Sequence, residues 1–172
     1  MTRQAFYIQD EWEISPKWQL YLGLRNERIV SESTNTTSPL VNVSSVTSPV
    51  AHVTYKFDPK SKDMVRGSLT RSYKAPGLNT MLARPVINGA YTNTNVTNTY
   101  LSPDRIGNPG LAPELATGLD IAYENYLSND GIFSMGLFHR NLTNVVRNLT
   151  VLRQVSWANA PRWITQPQNF SD

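Results

Sequence analysis

The sequence predicts an all-β protein, an antiparallel up-and-down meander of about six strands. Three observations carry this. Apolar side chains recur with period two in six separate segments, alternately short and long connections join those segments, and helix signals are weak throughout. The best helical stretch, residues 113–119, contains Gly118, which weakens it.

In the first segment Phe6, Ile8, Trp12 and Ile14 fall on one face, and Tyr7, Gln9, Glu11 and Glu13 on the other. Residues 15–17 make a tight turn around Pro16. The second segment sets Trp18, Leu20, Leu22 and Leu24 against Gln19, Tyr21, Gly23 and Arg25. The third sets Ala51, Val53, Tyr55 and Phe57 against His52, Thr54 and Lys56. After a turn over residues 58–63, the fourth sets Val65, Gly67, Leu69 and Tyr73 against Arg66, Ser68, Thr70 and Ser72. The fifth sets Leu119, Ile121 and Tyr123 against Asp120, Ala122 and Glu124. A turn over residues 128–131 leads to the sixth, with Phe133, Met135 and Leu137 against Ser134 and Gly136. Asp10 and Arg71 are charged residues on otherwise apolar faces. Asp10 there calls for a bulge or a partner on a neighbouring strand.

Hairpin pairing must keep both apolar sets on one face. Pairing Ile14 with Trp18, Trp12 with Leu20 and Ile8 with Leu24 does so, and the other two hairpins are compatible in the same way. The long connections are residues 32–48 and 74–115, with a third irregular region from Asn141. Alternating short turns and long loops is the pattern of an outer-membrane barrel, with its long loops outside the cell. Ile8, Leu20, Leu22, Leu24, Val53, Leu69, Leu119, Ile121, Met135 and Leu137 would then face lipid. Trp12, Trp18, Tyr55, Phe57, Tyr126 and Phe133 lie beside the short turns. They suit the aromatic girdle of a membrane barrel, although Trp and Tyr also favour strands in general.

Other classes find little support. The chain has 172 residues, no cysteine, and 16 basic against 13 acidic residues, for a net charge of +3. Its basic residues are scattered, so no nucleic-acid partner is expected. No segment approaches the roughly 18 apolar residues of a membrane helix. The first residues lack the apolar run of a signal peptide, which predicts either truncation or no export. His52 and His139 are far apart, with no metal-ligand spacing around them. No nucleophile–base pair or phosphate-binding glycine loop appears, and Glu11 and Glu13 project to the polar face, so neither catalysis nor a cofactor is expected. Asn-x-Ser/Thr triplets at Asn35, Asn42, Asn95, Asn141, Asn148 and Asn169 follow from Asn- and Thr-rich loops. Within residues 107–114, Pro109 and Pro113 lack donors, and Gly110 permits a tight turn back into the fifth strand. Residues 81–105 form a loop long enough to capture a solute, with Tyr91, Tyr100 and Arg105 as candidate contacts.

Several motifs occur in a fixed order. Tyr7-Ile8-Gln9-Asp10 resembles a YxQD strand, and Gly23-Leu24-Arg25-Asn26-Glu27 a GLRxE strand. Arg71-Ser72-Tyr73-Lys74-Ala75-Pro76 resembles the SxxYxAP end of a strand. Gly107-Asn108-Pro109-Gly110-Leu111-Ala112-Pro113-Glu114 resembles the GNPxLxPE loop, and Phe138-His139-Arg140-Asn141-Leu142 an FxRxI strand. This ordered set spans nearly the whole chain and resembles the barrel domain of TonB-dependent outer-membrane receptors. The resemblance implies a transmembrane barrel of about 22 strands closed by an N-terminal plug. It implies active import of a scarce solute, of the siderophore-iron, cobalamin or glycan class, with energy from TonB. The implied partners are outer-membrane lipid, a small-molecule or glycan solute, and TonB acting through a plug domain absent from this chain. Residues 1–172 are then expected to be a partial barrel domain without plug, TonB-contacting segment or C-terminal strands, located in the cell outer membrane. A passive porin-like barrel and a secreted all-β binding module are the alternatives.

Overall fold

The computed structural model describes residues 1–33, 40–60, 62–127 and 131–171. Strands β1 (Thr2–Ser15), β2 (Trp18–Ser33), β3 (Leu40–Lys56), β4 (Met64–Lys74), β6 (Glu114–Tyr126) and β7 (Ile132–Thr143) form one six-stranded sheet. They pair antiparallel in sequence order, and β1 and β7 are its edges. The meander read from the alternation is therefore present. Trp12 opposes Leu20 and Ile8 opposes Leu24, while a register shift between Glu13 and Ser15 sets Ser15, not Ile14, against Trp18. The turn expected at 128–131 lies outside the described residues except for Gly131.

Between β4 and β6 the chain leaves this sheet. It forms a short helix α1 (Leu78–Met81), a 3-10 turn (Gly89–Tyr91) and a two-residue strand β5 (Asp104–Arg105). After β7 come β8 (Val145–Arg153) and β9 (Arg162–Phe170). Strand β9 pairs antiparallel with β8 and parallel with β5, which makes a second, three-stranded sheet.

Four expectations are corrected. Residues 40–48 belong to β3 and are not loop, because Val41, Val43, Val46 and Thr47 are strand formers that lack a clear polar–apolar contrast. The irregular region expected from Asn141 is largely the β8–β9 hairpin. Strand β6 begins at Glu114, inside the connection read as 74–115 and ahead of the fifth segment read from Leu119, where pairing with β4 extends it. Tyr73 does not join the apolar set, because its hydroxyl donates to Glu27 Oε2 at 2.6 Å. The β3–β4 register ends at Val50 and Thr70, so the end of β4 is free of β3.

The buried apolar residues Ile29, Leu40, Val46, Met81, Leu111, Ala158 and Ile164 all sit towards the long-connection end. Leu40, Met81 and Leu111 form one cluster, flanked by Leu82 and Val146. The half of the six-stranded sheet near the short turns buries no apolar side chain among the described residues.

Candidate functional site

The pairing registers turn the strand alternation into continuous rows across the six-stranded sheet. One row runs Trp12–Leu20–Val53–Gly67–Ile121–Leu137, and the next Asp10–Leu22–Ala51–Leu69–Leu119–His139. Ile8, Leu22, Leu24, Val53, Leu69, Leu119, Ile121, Met135 and Leu137 are all exposed, Ile8 at 74% and Leu137 at 72%, while Leu20 is half-buried. A contiguous apolar face of this extent calls for a non-aqueous neighbour. Asp10 lies in it without a bulge at its own position, and its Oδ1 accepts from the Glu11 amide at 2.9 Å.

At the short-turn end, rings touch edge to face or tilted from strand to strand: Trp18 to Tyr55 (4.7 Å between centroids), Tyr55 to Phe57 (5.4 Å), Phe57 to Tyr123 (6.0 Å) and Tyr123 to Phe133 (6.4 Å). Trp12 is exposed in the adjoining apolar row. Tyr126 instead directs its hydroxyl to Glu124 Oε2 at 3.2 Å, on the polar face, and Tyr123 takes the place in the row.

The opposite face is polar and cross-linked. Arg66 pairs with Glu124 at 3.2 Å, and Arg140 with Asp120 at 2.7 Å, which also accepts from Ser68. Higher up, buried Glu27 gathers Arg25 at 2.6 Å, Arg3 at 3.5 Å and the Tyr73 hydroxyl.

Beyond the long-connection end, the three-stranded sheet and the segment between β4 and β6 make a compact cap. Its centre is Arg162, fully buried against fully buried Asp104. Arg162 Nε donates to Asp104 Oδ2 at 2.8 Å and Nη2 to Oδ1 at 2.9 Å. The remaining donors meet the carbonyls of Tyr91 (2.8 Å), Val96 (2.7 Å) and Asn93 (3.5 Å). All five guanidinium N–H groups thus have acceptors. Burial pushes the Asp104 carboxyl up, but the Arg162 hydrogen bonds and the Asn88 amide outweigh it and hold the group below its usual value. Asparagines fasten the rest: Asn98 bonds both the amide and the carbonyl of Trp163, Asn108 the Pro167 carbonyl, and Asn169 both backbone groups of Ala112. A Cβ on Gly107 would run into the Leu82 carbonyl, so glycine is required there for close approach, whereas Gly110 has ordinary backbone angles.

A cleft of about 570 Å³ opens in the cap between the loop and β8–β9. Arg84 and Arg105 line it, with Asn79, Thr80, Asn148 and Thr165 as neutral hydrogen-bonding groups. Both arginines are exposed, and neither has an ion pair among the described residues. Of the three loop residues singled out by sequence, only Arg105 lines this cleft. Tyr91 contributes its carbonyl to Arg162, and the exposed Tyr100 ring stands edge-on to Trp163 at 5.3 Å. Sequence reasoning missed Arg84, Asp104 and Arg162, whose partnership spans 58 residues and leaves no local pattern.

Residues 1–171 match the family described as "TonB dependent receptor-like, beta-barrel". The chain belongs to this family. Among solved structures, the receptor barrel is similar to the siderophore receptor PirA from Pseudomonas aeruginosa, with a TM-score of 0.68 and 16% identity over 98% of this chain. It is also similar to PirA from Acinetobacter baumannii, with a TM-score of 0.66 and 15% identity over 98% of this chain. The chain spans 28% and 23% of those two receptors, about a quarter of their length. No curated protein matches it. Barrels of this family are outer-membrane proteins of Gram-negative bacteria, and the family is one of transport receptors and not of enzymes.

Proposed function

We propose that this chain is part of the barrel wall of an outer-membrane active-transport receptor. It would import a scarce solute with energy delivered by TonB through a plug domain. The observation that carries this reading is the exposed apolar face crossing all six strands, ended by a continuous row of aromatic rings. That face meets lipid, the rings lie at the periplasmic interface, and the polar face with its ion pairs lines the interior. Strands of about 9–11 residues suffice to cross a bilayer. Strands β2 and β3 have 16 and 17 residues, so they project beyond it and carry the cap outward. Siderophore-iron is the favoured solute class, since both structural neighbours are described as siderophore receptors.

The test compares accumulation of iron chelates in cells with and without the complete receptor, each with and without TonB. The proposal expects surface binding to survive loss of TonB and accumulation to stop. Accumulation independent of TonB would favour a passive porin. A complete protein soluble without detergent would favour a secreted binding module.

A further inference from the structure

We infer that Asn88 is a self-modification site, where the Gly89 backbone nitrogen converts the side-chain amide to an acid and the isoaspartate form releases the cap. This goes beyond transport and does not depend on the solute. Asn88-Gly89 is the one Asn-Gly pair in the chain. Glycine has no side chain to screen its nitrogen, and a Cβ at Gly89 would meet nothing within 4 Å. Gly89 is exposed. Neither its N–H nor the Asn88 side-chain NH2 donates to any group among the described residues. Nucleophile and leaving group are both free.

The chemistry needs no reactant but water. The Gly89 nitrogen attacks Cγ of Asn88 and gives up its proton. The new N–Cγ bond closes an imide ring, the Cγ–Nδ2 bond breaks, and the side-chain nitrogen leaves as ammonia. Water then opens the ring. Hydrolysis of the bond between Cγ and the Gly89 nitrogen gives aspartate. Hydrolysis of the bond between the Asn88 main-chain carbonyl carbon and that nitrogen gives isoaspartate, whose main chain runs through Cγ and is one methylene longer. Ammonia is lost, so the change runs one way.

The fold governs both the rate and the outcome. Asn88 caps the 3-10 turn at Gly89–Tyr91: its Oδ1 accepts from the Ala90 amide at 3.0 Å, and its carbonyl from the Tyr91 amide at 2.9 Å. Its ψ of 129° turns the Gly89 nitrogen away from Cγ, so the ring closes only when the turn opens. The Asp104–Arg162 lock holds that turn at both ends. The Asn88 amide donates to Asp104 Oδ1 at 3.0 Å, and the Tyr91 carbonyl accepts from Arg162 Nη2 at 2.8 Å. Opening the turn is therefore a local opening of the cap. Aspartate at position 88 keeps an oxygen for the Ala90 amide, as a good N-cap does. Isoaspartate sets an extra methylene between the amide that meets Asp104 and the carbonyl that meets Arg162. The two groups then no longer reach their partners together, and the lock is released.

The experiment ages the purified complete receptor at neutral and mildly alkaline pH. Peptide mapping by mass spectrometry reads position 88 as asparagine, aspartate or isoaspartate. The inference expects both acids to build up there at least tenfold faster than at Asn98 or Asn169. Asp104→Asn, which loosens the lock, should speed the build-up at least threefold. Gly89→Ala, whose Cβ has open space, should leave the cap protease-resistant and slow the build-up at least tenfold in both backgrounds. Added protease should cut the aged receptor within residues 92–101, and the molecules cut first should carry isoaspartate. Asn88→Asp, made directly, should stay resistant. Asn88 as durable as Asn98 overturns the inference, and so does a rate that Asp104→Asn or Gly89→Ala leaves unchanged. Isoaspartate that accumulates with no gain in cleavage overturns it too, as does an Asn88→Asp receptor cut as readily as the isoaspartate form.

Discussion

Arg162 donates with all five of its N–H groups, and Asp104 is the one anion it reaches among the described residues. Removing one member of a buried ion pair leaves the other charge without compensation, at about 3–5 kcal/mol. We predict that Asp104→Asn loosens the cap by that order and makes residues 92–101 cleavable by added protease, while the six-stranded wall stays resistant. Equal protease resistance in variant and wild type would count against the lock. Acid should act in the same direction. The Asp104 carboxyl is held below its ordinary value in the folded cap, so its contribution is complete above the ordinary carboxylate range and is lost as pH falls through the depressed value. Cap resistance should therefore persist from neutral to mildly acid pH and fall only in stronger acid. A midpoint near neutrality would contradict this. A third comparison separates two glycines of one loop. Gly107→Ala collides with the Leu82 carbonyl, whereas a Cβ at Gly110 meets only the Asn108 side chain at 3.3 Å, so Gly110→Ala should keep the cap's protease resistance and Gly107→Ala should not. Little of this was legible in the sequence. Arg105 stood out as an arginine in a long loop, but its partner Arg84 looked no different from any scattered basic residue, and the Asp104–Arg162 contact depends on a parallel pairing that local patterns do not encode.

At the scale of elements, the rows make the cost of a charge depend on its neighbour across the sheet. Ile121 lies between Gly67 and Leu137, so Ile121→Arg places a cation among apolar groups, at roughly 2–4 kcal/mol near the bilayer midplane. Leu22 lies directly opposite Asp10. Leu22→Arg would therefore meet a carboxylate, and its cost should be smaller, rising to the Ile121→Arg level in the background of Asp10→Ala. Insertion measured by heat-modified migration or refolding into vesicles reads this order, and an equal effect of both arginines would undo the assigned rows. The same contrast explains which strands could be read in advance. Period two was plain where an apolar face backs a polar one, as in β1, β2, β4, β6 and β7. Past the apolar band, Asn26, Arg28, Ser45 and Thr47 share the face that carries Leu24 lower down, and Asn26 bonds Thr47 at 2.9 Å across it. Both faces are mixed there, since the opposite one sets buried Ile29 and Val46 beside Glu27 and Ser44, so the alternation fades and the first half of β3 read as loop. Strands β8 and β9 escaped for a similar reason: their mixture of Val, Thr, Asn and Gln has strand formers without a sided pattern.

For the molecule as a whole, single cysteines placed in this cysteine-free segment, with the unsubstituted receptor as the background, test its orientation. Leu101, 90% exposed in the cap, and Lys60, in the turn after β3, mark opposite ends. On intact cells a membrane-impermeant thiol reagent should label Leu101→Cys in the complete receptor and leave Lys60→Cys untouched until the envelope is opened. The reverse result would invert the topology. The location of the core also has a consequence for timing. Four of the wall's five pairings join strands adjacent in the chain, whereas β4 and β6 pair across the excursion between them and the cap's ion pair joins residues 58 positions apart. Contacts distant in sequence form slowly. The local hairpins of the wall are therefore expected to form ahead of both the β4–β6 pairing and the cap. Residues 75–103 have no Arg162 to fold around until β9 is in place, so the cap is expected to be the last part to close.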